Sequence, residues 1–237
     1  MALGEHYQSL MGRLISSLRK HDDPVDVVSW SNTLPPGAPG GDMPWAAYCA
    51  KPFALKAAAD QGYDIVLWLD TAYFAVKHSG PIFDHIEGHE YYVQQNGNMV
   101  GNWCTDAALE TLEISREEAM QIPEIASGAI GLDVRKLNPH TFMNEWCRLA
   151  SDGVTFIGAH ANEALGREEI VRRRLPDRTV GFVSHDKRVF GHRHDQTAAS
   201  VIAHKLGWVG VLRPDYTDYW SPDQHEKVLF ANRGGLF

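Results

Sequence analysis

The stretch YDIVLWLD, residues 63–70, constrains the fold more than any other part of the chain. Its residues from Ile65 to Leu69 are continuously apolar, which is typical of a central strand that is covered on both faces. A helical pattern over residues 45–62 precedes this run and ends at Gly62, a common helix stop. Together they predict a helix followed directly by a central strand.

The rest of the chain alternates between helical and strand-like apolar spacing. The predicted helices cover residues 5–20, 45–62, 80–87, 105–112, 115–121, 138–151 and 195–206, and the predicted strands cover residues 25–30, 63–70, 90–94, 125–133, 154–157 and 208–212. Strands that alternate with helices favour an α/β fold, with a mostly parallel central sheet flanked by helices. Since no repeat and no linker-like composition divides the sequence, we expect one domain over residues 1–237.

Composition excludes several classes of protein. The 237 residues are 44% hydrophobic and 22% charged, as in an ordinary globular protein. No stretch approaches the roughly 20 consecutive apolar residues of a membrane span, and the N-terminus has no signal-peptide pattern. The three cysteines, Cys49, Cys104 and Cys147, are an odd set without short paired spacing, which favours reduced thiols and a cytoplasmic location.

The charge balance argues against a polyanionic partner. A net charge of −8 disfavours long-range attraction to nucleic acid. Basic residues concentrate at GREEIVRRRLPDR, residues 166–178, where two glutamates offset part of the charge. We interpret this stretch as a solvated charged helix or lid, with a phosphate or nucleic-acid site as the alternative.

Small and acidic residues lie at the ends of the predicted strands. Asp70 follows the apolar run directly, at the sheet edge where open α/β folds bind ligands. It is either a turn aspartate or a carboxylate that holds a cation. Ser127 and Gly128 begin the strand in IASGAIGLD, where small residues permit tight packing or close approach of a ligand.

The hexapeptide GHRHDQ, residues 191–196, is the densest polar cluster in the chain. Asp195 stands where the helix of residues 195–206 should begin, so we expect it to cap that helix. A cap needs one polar residue, and the cluster supplies five. The pattern His-x-His-Asp is a poor zinc-hydrolase motif. Two imidazoles beside a carboxylate at a helix N-terminus suit proton handling and anion binding better.

The order of these motifs resembles that of GT-A-type glycosyltransferases, which transfer sugars from nucleotide-sugar donors. The shared features are a Lys-Pro helix (YCAKPFALKAAADQGYD), an apolar strand ending in aspartate (VLWLDTAYF), a strand beginning with Ser-Gly (SGAIGLD) and an Asp-Gln pair (HRHDQTAAS), spread over residues 45–210. The resemblance implies a single GT-A-like domain.

Several residue roles follow from that resemblance. Asp70 corresponds to the first aspartate of the Asp-x-Asp metal motif, which would hold Mg²⁺ or Mn²⁺ beside the donor diphosphate. The resemblance implies that Lys51, Ser127 and Gly128 lie near the donor sugar. Trp103 is a candidate for stacking on a sugar face, with a buried core tryptophan as the alternative. His192, from the GHRHDQ cluster, is a further candidate for binding the substrate, with structural packing as the alternative.

The resemblance implies that Asp195 and Gln196 act in catalysis, with Asp195 stabilising positive charge at the anomeric carbon or orienting sugar hydroxyls. His194, from the same cluster, is a further catalytic candidate because an imidazole can handle protons.

Two departures separate this chain from the family pattern. The metal motif reads Asp70-Thr71-Ala72, without its second carboxylate. The family pattern places a nucleotide-binding strand before a helix like 5–20, and we expect no such strand ahead of that helix here. We expect a cytoplasmic glycosyltransferase with a nucleotide-diphosphate-sugar donor and an unknown acceptor, which is a glycan, a small molecule or nucleic acid. The alternatives are a metal-dependent hydrolase centred on His192, His194 and Asp195, and a non-catalytic binder of nucleotide sugars or glycans.

Overall fold

The structure is a computed structural model, and it describes residues 4–21, 24–40, 46–175, 179–212, 215–221 and 228–233. The α-helices in this part of the chain are α1 (Glu5–Lys20), α2 (Ala46–Asp60), α3 (Gly80–His89), α4 (Asp106–Thr111), α5 (Arg116–Ala119), α6 (Leu137–Ala150), α7 (Arg167–Arg172) and α8 (Asp195–Lys205). The strands are β1 (Ile65–Leu69), β2 (Tyr73–Ala75), β3 (Tyr91–Tyr92), β4 (Gln95–Met99), β5 (Pro123–Ile125), β6 (Ala129–Asp133), β7 (Ala161–Asn162), β8 (Val180–Gly181), β9 (Thr217–Tyr219) and β10 (Phe230–Asn232). The fold is therefore mixed α/β, as predicted.

The prediction of a mostly parallel central sheet is wrong. The sheet at the centre has the order β1-β6-β3, and both of its pairings are antiparallel, with Leu67 opposite Gly131. Strand β6 is the buried central strand, whereas β1 lies at an edge and is only alternately buried. An apolar run indicates burial, but it carries no information about the direction of the neighbouring strand.

Two layers of helices cover this sheet. Helices α2 and α6 pack on one face, where Trp68, Phe142 and Trp146 belong to one apolar cluster, and α8 packs against α6 and β5. Helices α1 and α3 pack on the other face, where Leu14, Leu18 and Ile86 belong to a second cluster. Gly131 permits the close approach of α3, because a Cβ at this position would lie 2.3 Å from the Ile86 side chain. The sheet is thus the middle layer of a three-layer arrangement.

Smaller sheets surround this centre. Strands β2, β10 and β9 form one sheet, in which β10 runs parallel to β9 and antiparallel to β2. Strands β4 and β5 form an antiparallel pair, and β7 and β8 form a parallel pair. The β-structure of the described residues is therefore divided among several small sheets.

Three predicted strands do not form. Residues 25–30 pair with no strand among the described residues; they line a largely apolar cavity of about 250 Å³ with α1 and β1. Residues 154–157 form a turn, since the Asp152 carboxylate accepts the backbone N–H groups of Val154 and Thr155. Residues 208–212 make only an isolated bridge, from Val211 to Gln94. Apolar residues alone predicted these strands, and a strand also requires a partner edge.

The long helices form where periodicity predicted them, at 5–20, 80–87, 138–151 and 195–206, each within a few residues. Helix α2 accommodates Pro52 in its interior, and Gly62 follows it with φ +96°. Trp45, the predicted first residue of that helix, lies outside the described residues. Cys49, Cys104 and Cys147 are free and buried, in agreement with the expected reduced thiols. No helix in the described ranges is long and apolar enough to cross a bilayer.

Candidate active site

A buried lysine joins the two aspartates that the sequence singled out. The Lys51 ammonium lies 2.9 Å from Asp195 Oδ2 and 3.1 Å from Asp70 Oδ1. It also donates to the carbonyl and the hydroxyl oxygens of Ser127, each at 3.4 Å. The structure therefore brings Lys51, Asp70, Ser127 and Asp195 together, and we call this group the Lys51 centre.

The fold explains why residues so distant in sequence meet. Strands β1 and β6 are antiparallel, and Leu69 at the end of β1 pairs with Ala129 at the start of β6. The residues just beyond, Asp70 and Gly128, are therefore neighbours, and the Asp70 N–H donates to the Gly128 carbonyl at 2.8 Å. Helix α2 packs on β1, and α8 packs against α2 and against β5, the strand just before Ser127, which brings Lys51 and Asp195 to this edge.

The two carboxylates of the centre differ in their access to solvent. The side chain of Asp195 is 3% exposed, whereas that of Asp70 is 35% exposed and also accepts a hydrogen bond from Trp68 Nε1 at 2.8 Å. Burial on its own would lower the pKa of Lys51, but the attraction of Asp195 and Asp70 outweighs it and raises that pKa. Lys51 is thus a permanent ammonium, and Asp70 is the carboxylate that faces outward.

Ser127 and Gly128 form the turn that leads into β6. The Ser127 N–H donates to Gln196 Oε1 at 3.4 Å, so the Asp-Gln pair contacts this turn as well as Lys51. A Cβ on Gly128 would lie 3.1 Å from the Tyr73 ring and 3.3 Å from Asp70 Oδ2. Glycine therefore leaves the space beside the outward-facing carboxylate open.

The expectation that Asp195 caps its helix is wrong. The N-cap of α8 is His194, and no side chain makes a capping hydrogen bond there. Asp195 is the first helical residue, and its carboxylate is directed at Lys51. His194 has φ 48° and ψ −117°, a conformation that favours glycine. The backbone is therefore strained immediately before the centre.

The His192 side chain is enclosed by the protein and is held there by backbone groups. It is fully buried, its Nε2 lies 3.0 Å from the Thr155 carbonyl, and its Nδ1 accepts the Thr105 N–H at 3.4 Å. Burial, followed by the effect of His194, lowers the pKa of His192 to about 3. Both ring nitrogens are engaged within the protein, so neither is open to a substrate or a metal in this arrangement.

His194 is nearer to the centre but is also covered. Its Nδ1 lies 3.0 Å from the Phe156 carbonyl, and its ring stacks on Tyr48 with the centroids 4.4 Å apart. Burial is the largest cause of the lowered pKa of His194. Among the described residues, no group of three histidines, cysteines or carboxylates is arranged to hold a metal ion. The hydrolase centred on His192, His194 and Asp195 therefore has no support from the geometry.

Asp70 is also a poor fit for Mg²⁺ or Mn²⁺. Its oxygens already accept from the Lys51 ammonium and the Trp68 indole. Thr71 and Ala72 supply no second carboxylate, and the carboxylate of Asp195 is paired with the same lysine. Divalent cations of this kind prefer several oxygen ligands. The Lys51 ammonium already lies against the Asp70 carboxylate and acts as a fixed cation there.

Trp103 has no open face for stacking on a sugar. The ring is 5% exposed, the Arg193 guanidinium lies 3.9 Å from its centroid, and Phe190 contacts it edge-on. Sequence reasoning overlooked Arg193, although this residue lies in the GHRHDQ motif. It also overlooked Glu124, a fully buried carboxyl group three residues before Ser127. In the sequence, Glu124 could have been noticed as a single glutamate within a stretch that is otherwise typical of a strand.

The basic stretch of residues 166–178 forms α7 and the residues after it, except for residues 176–178, which lie outside the described ranges. Glu169 makes ion pairs with Arg172 and Arg173, and Arg174 is exposed. This agrees with the interpretation of a solvated charged helix.

Comparisons with known proteins add little to this site. No protein-family model and no curated protein matches the sequence. Among solved structures, the chain is similar to the apo structure of the bifunctional glycosyltransferase WbbM, with a TM-score of 0.49 and 11% sequence identity. The match covers 99% of this chain and 46% of that one, so the chain spans less than half the length of this neighbour. Similarity at this level assigns neither an activity nor a substrate.

Proposed function

We propose that the protein is a glycosyltransferase that takes a sugar from a nucleotide-diphosphate donor. The observation that carries this proposal is the Lys51 centre, in which a buried ammonium fixes an outward-facing carboxylate, Asp70, at the end of a strand. A carboxylate held in this way is suited to accept hydrogen bonds from sugar hydroxyls in a defined orientation. The resemblance of the motif order to GT-A enzymes supports the same assignment.

The proposed reaction is a substitution at the anomeric carbon of the donor sugar, in which one bond breaks and one bond forms. The bond from the anomeric carbon to the diphosphate oxygen breaks, and its electron pair leaves with the diphosphate. An acceptor oxygen bonds to the anomeric carbon and releases its proton to solvent. Asp70 would orient the sugar, and its negative charge would favour the positive charge that develops at the anomeric carbon.

The other residues of the centre act on Asp70 or on the turn beside it. Asp195 holds Lys51 in place from the buried side, and Gln196 holds the Ser127 backbone. Gly128 leaves room for the sugar beside Asp70. In this scheme Asp195 and Gln196 are positioning residues, and the cation that fixes Asp70 is the Lys51 ammonium.

The test begins with a thermal-shift screen of nucleotide sugars, each with Mn²⁺ and with a chelator. A ligand that binds only the folded state raises the free energy of unfolding, by about 2.7 kcal/mol when its concentration is 100 times its Kd, and the melting temperature rises with it. We expect at least one nucleotide sugar to raise it more than the matching nucleoside diphosphate does, and Asp70→Asn to abolish that difference. Release of free sugar and nucleotide would then report slow transfer to water.

Three outcomes contradict parts of this proposal. If no nucleotide sugar stabilises the protein under either condition, the donor class is wrong. If a donor binds and no acceptor supports turnover, the protein is a binder rather than an enzyme. If binding requires Mn²⁺ and Asp70→Asn removes that requirement, Asp70 is a metal ligand and the role proposed for Lys51 is wrong.

A further inference from the structure

Arg193, two residues before Asp195 of the Lys51 centre, is held in a fixed position by Trp103. Its guanidinium lies 3.9 Å from the centroid of the Trp103 ring, and its backbone N–H donates to the Trp103 carbonyl at 3.2 Å. Two residues later, Asp195 begins α8 and pairs with Lys51. Stacking on an indole restricts a guanidinium to one plane and leaves its edge available for hydrogen bonds.

No carboxylate lies within ion-pair distance of the guanidinium in the parts of the chain that the structure describes, although Glu124 attracts it, and its Nε is buried without a hydrogen bond. Glu124 is near, but its Oε2 accepts from Asn96 Nδ2 at 2.7 Å. Burial is the largest influence on the Glu124 carboxyl group and raises its pKa, although the attraction of Arg193 acts in the opposite direction. A cation without a partner in a partly buried position is unusual, and it favours an anionic ligand.

The charge of the centre leads to the same conclusion. Lys51 contributes one positive charge while Asp70 and Asp195 contribute two negative charges, so the centre has a formal charge of −1. A phosphate-bearing ligand therefore needs a further cation at this edge of the sheet. Asp70 is a poor site for a divalent ion, whereas Arg193 lies two residues before Asp195 and has no carboxylate partner among the described residues.

We propose that Arg193, stacked on Trp103, is the phosphate-binding residue of this site. The inference rests on the proposed function in one respect, namely that the ligand carries phosphate groups. The phosphate belongs either to the donor diphosphate or to a phosphorylated acceptor, and in both cases the planar guanidinium makes two parallel hydrogen bonds to its oxygens.

The experiment measures binding by calorimetry and requires no turnover. Inorganic pyrophosphate and uridine diphosphate are titrated into the wild type, Arg193→Gln and Arg174→Gln, the last being an exposed arginine that controls for the loss of one charge. We expect Arg193→Gln to weaken pyrophosphate binding at least 10-fold, and Arg174→Gln to change it less than 2-fold. Arg193→Lys, which keeps the charge without the planar fork, should lie between them, and it tests the proposal if Arg193→Gln fails to fold.

A second titration identifies the source of the phosphate. If glucose 6-phosphate binds the wild type when uridine diphosphate is saturating, and Arg193→Gln abolishes only that binding, the phosphate is on the acceptor. If pyrophosphate and uridine diphosphate compete and both depend on Arg193, it is on the donor.

Equal affinity of Arg193→Gln and the wild type for all three probes overturns the inference, as does an equal loss in Arg174→Gln. These results are separate from the fate of the proposed function. Binding that depends on Arg193 without any sugar transfer leaves the anion site intact and removes the enzyme. If sugar transfer is unchanged in Arg193→Gln, the protein is an enzyme but Arg193 does not bind the phosphate.

Discussion

The Lys51 ammonium lies 2.9 Å from Asp195 Oδ2, and both side chains are almost completely shielded from water. Removing one partner of a buried ion pair leaves an uncompensated charge, which costs about 3–5 kcal/mol. We expect this cost for Lys51→Met, measured by urea unfolding. The exposed pair of Lys56 and Asp60 provides the matched control, since its lysine-to-methionine variant should cost only about 0.3–0.5 kcal/mol.

Adding Asp195→Asn to Lys51→Met should recover part of the lost stability, because the second change removes a carboxylate that has lost its lysine. An additive loss in the double variant, or equal losses for Lys51→Met and Lys56→Met, would show that the pair does not stabilise the fold as described.

Asp195→Asn tests the catalytic importance of the centre. The amide cannot hold the Lys51 ammonium as a carboxylate does, so Asp70 loses its fixed position, and we expect turnover to fall roughly 30- to 1000-fold while the protein stays folded. Asp106→Asn is the control, because Asp106 is also the first residue of a helix and pairs with a cation, Arg116, away from the site. Near-normal turnover of Asp195→Asn, or a similar loss for Asp106→Asn, would exclude the role proposed for Asp195.

The stability of the protein should depend on pH through Glu124. Its pKa in the folded state is raised by burial, so above the ordinary glutamate pKa of about 4.3 the folded state binds more protons than the unfolded state. The contribution of Glu124 is therefore complete at low pH and decreases as the pH rises through the folded-state value. Glu124→Gln lacks this titration, and its stability relative to the wild type should increase as the pH rises above the ordinary glutamate pKa of about 4.3. Parallel profiles for the two proteins would contradict the assignment.

The backbone strain at His194 is measurable by comparing two substitutions. Both His194→Gly and His194→Ala remove the contacts of the imidazole with Tyr48 and Phe156, but only glycine adopts φ 48° and ψ −117° without strain. We expect the glycine variant to be more stable than the alanine variant by about 1–3 kcal/mol in denaturant unfolding. Equal stabilities would mean that the residue before α8 is not strained.

The sequence by itself determined the helices and the chemistry available at the site. Leu10, Leu14 and Leu18 recur at helical spacing and form the buried face of α1. The run from Ile65 to Leu69 forms a strand that ends at an aspartate, as predicted. These features depend on residues close together in the chain, so local periodicity and chain stiffness are enough to predict them.

Only the tertiary structure decided how those pieces meet. Strand direction depends on which distant segment supplies the hydrogen-bonding edge, and for this reason the antiparallel pairing of β1 with β6 was not predictable from the apolar run. The same pairing places Gly128 beside Asp70, and helix packing then places Lys51 between Asp70 and Asp195. Neighbouring residues of the GHRHDQ motif have different environments in the fold. His192 is fully buried, whereas Arg193 stacks on Trp103 and forms no ion pair with the described residues. Charge pairing and burial are properties of the folded surface, and they depend on contacts that local sequence does not specify.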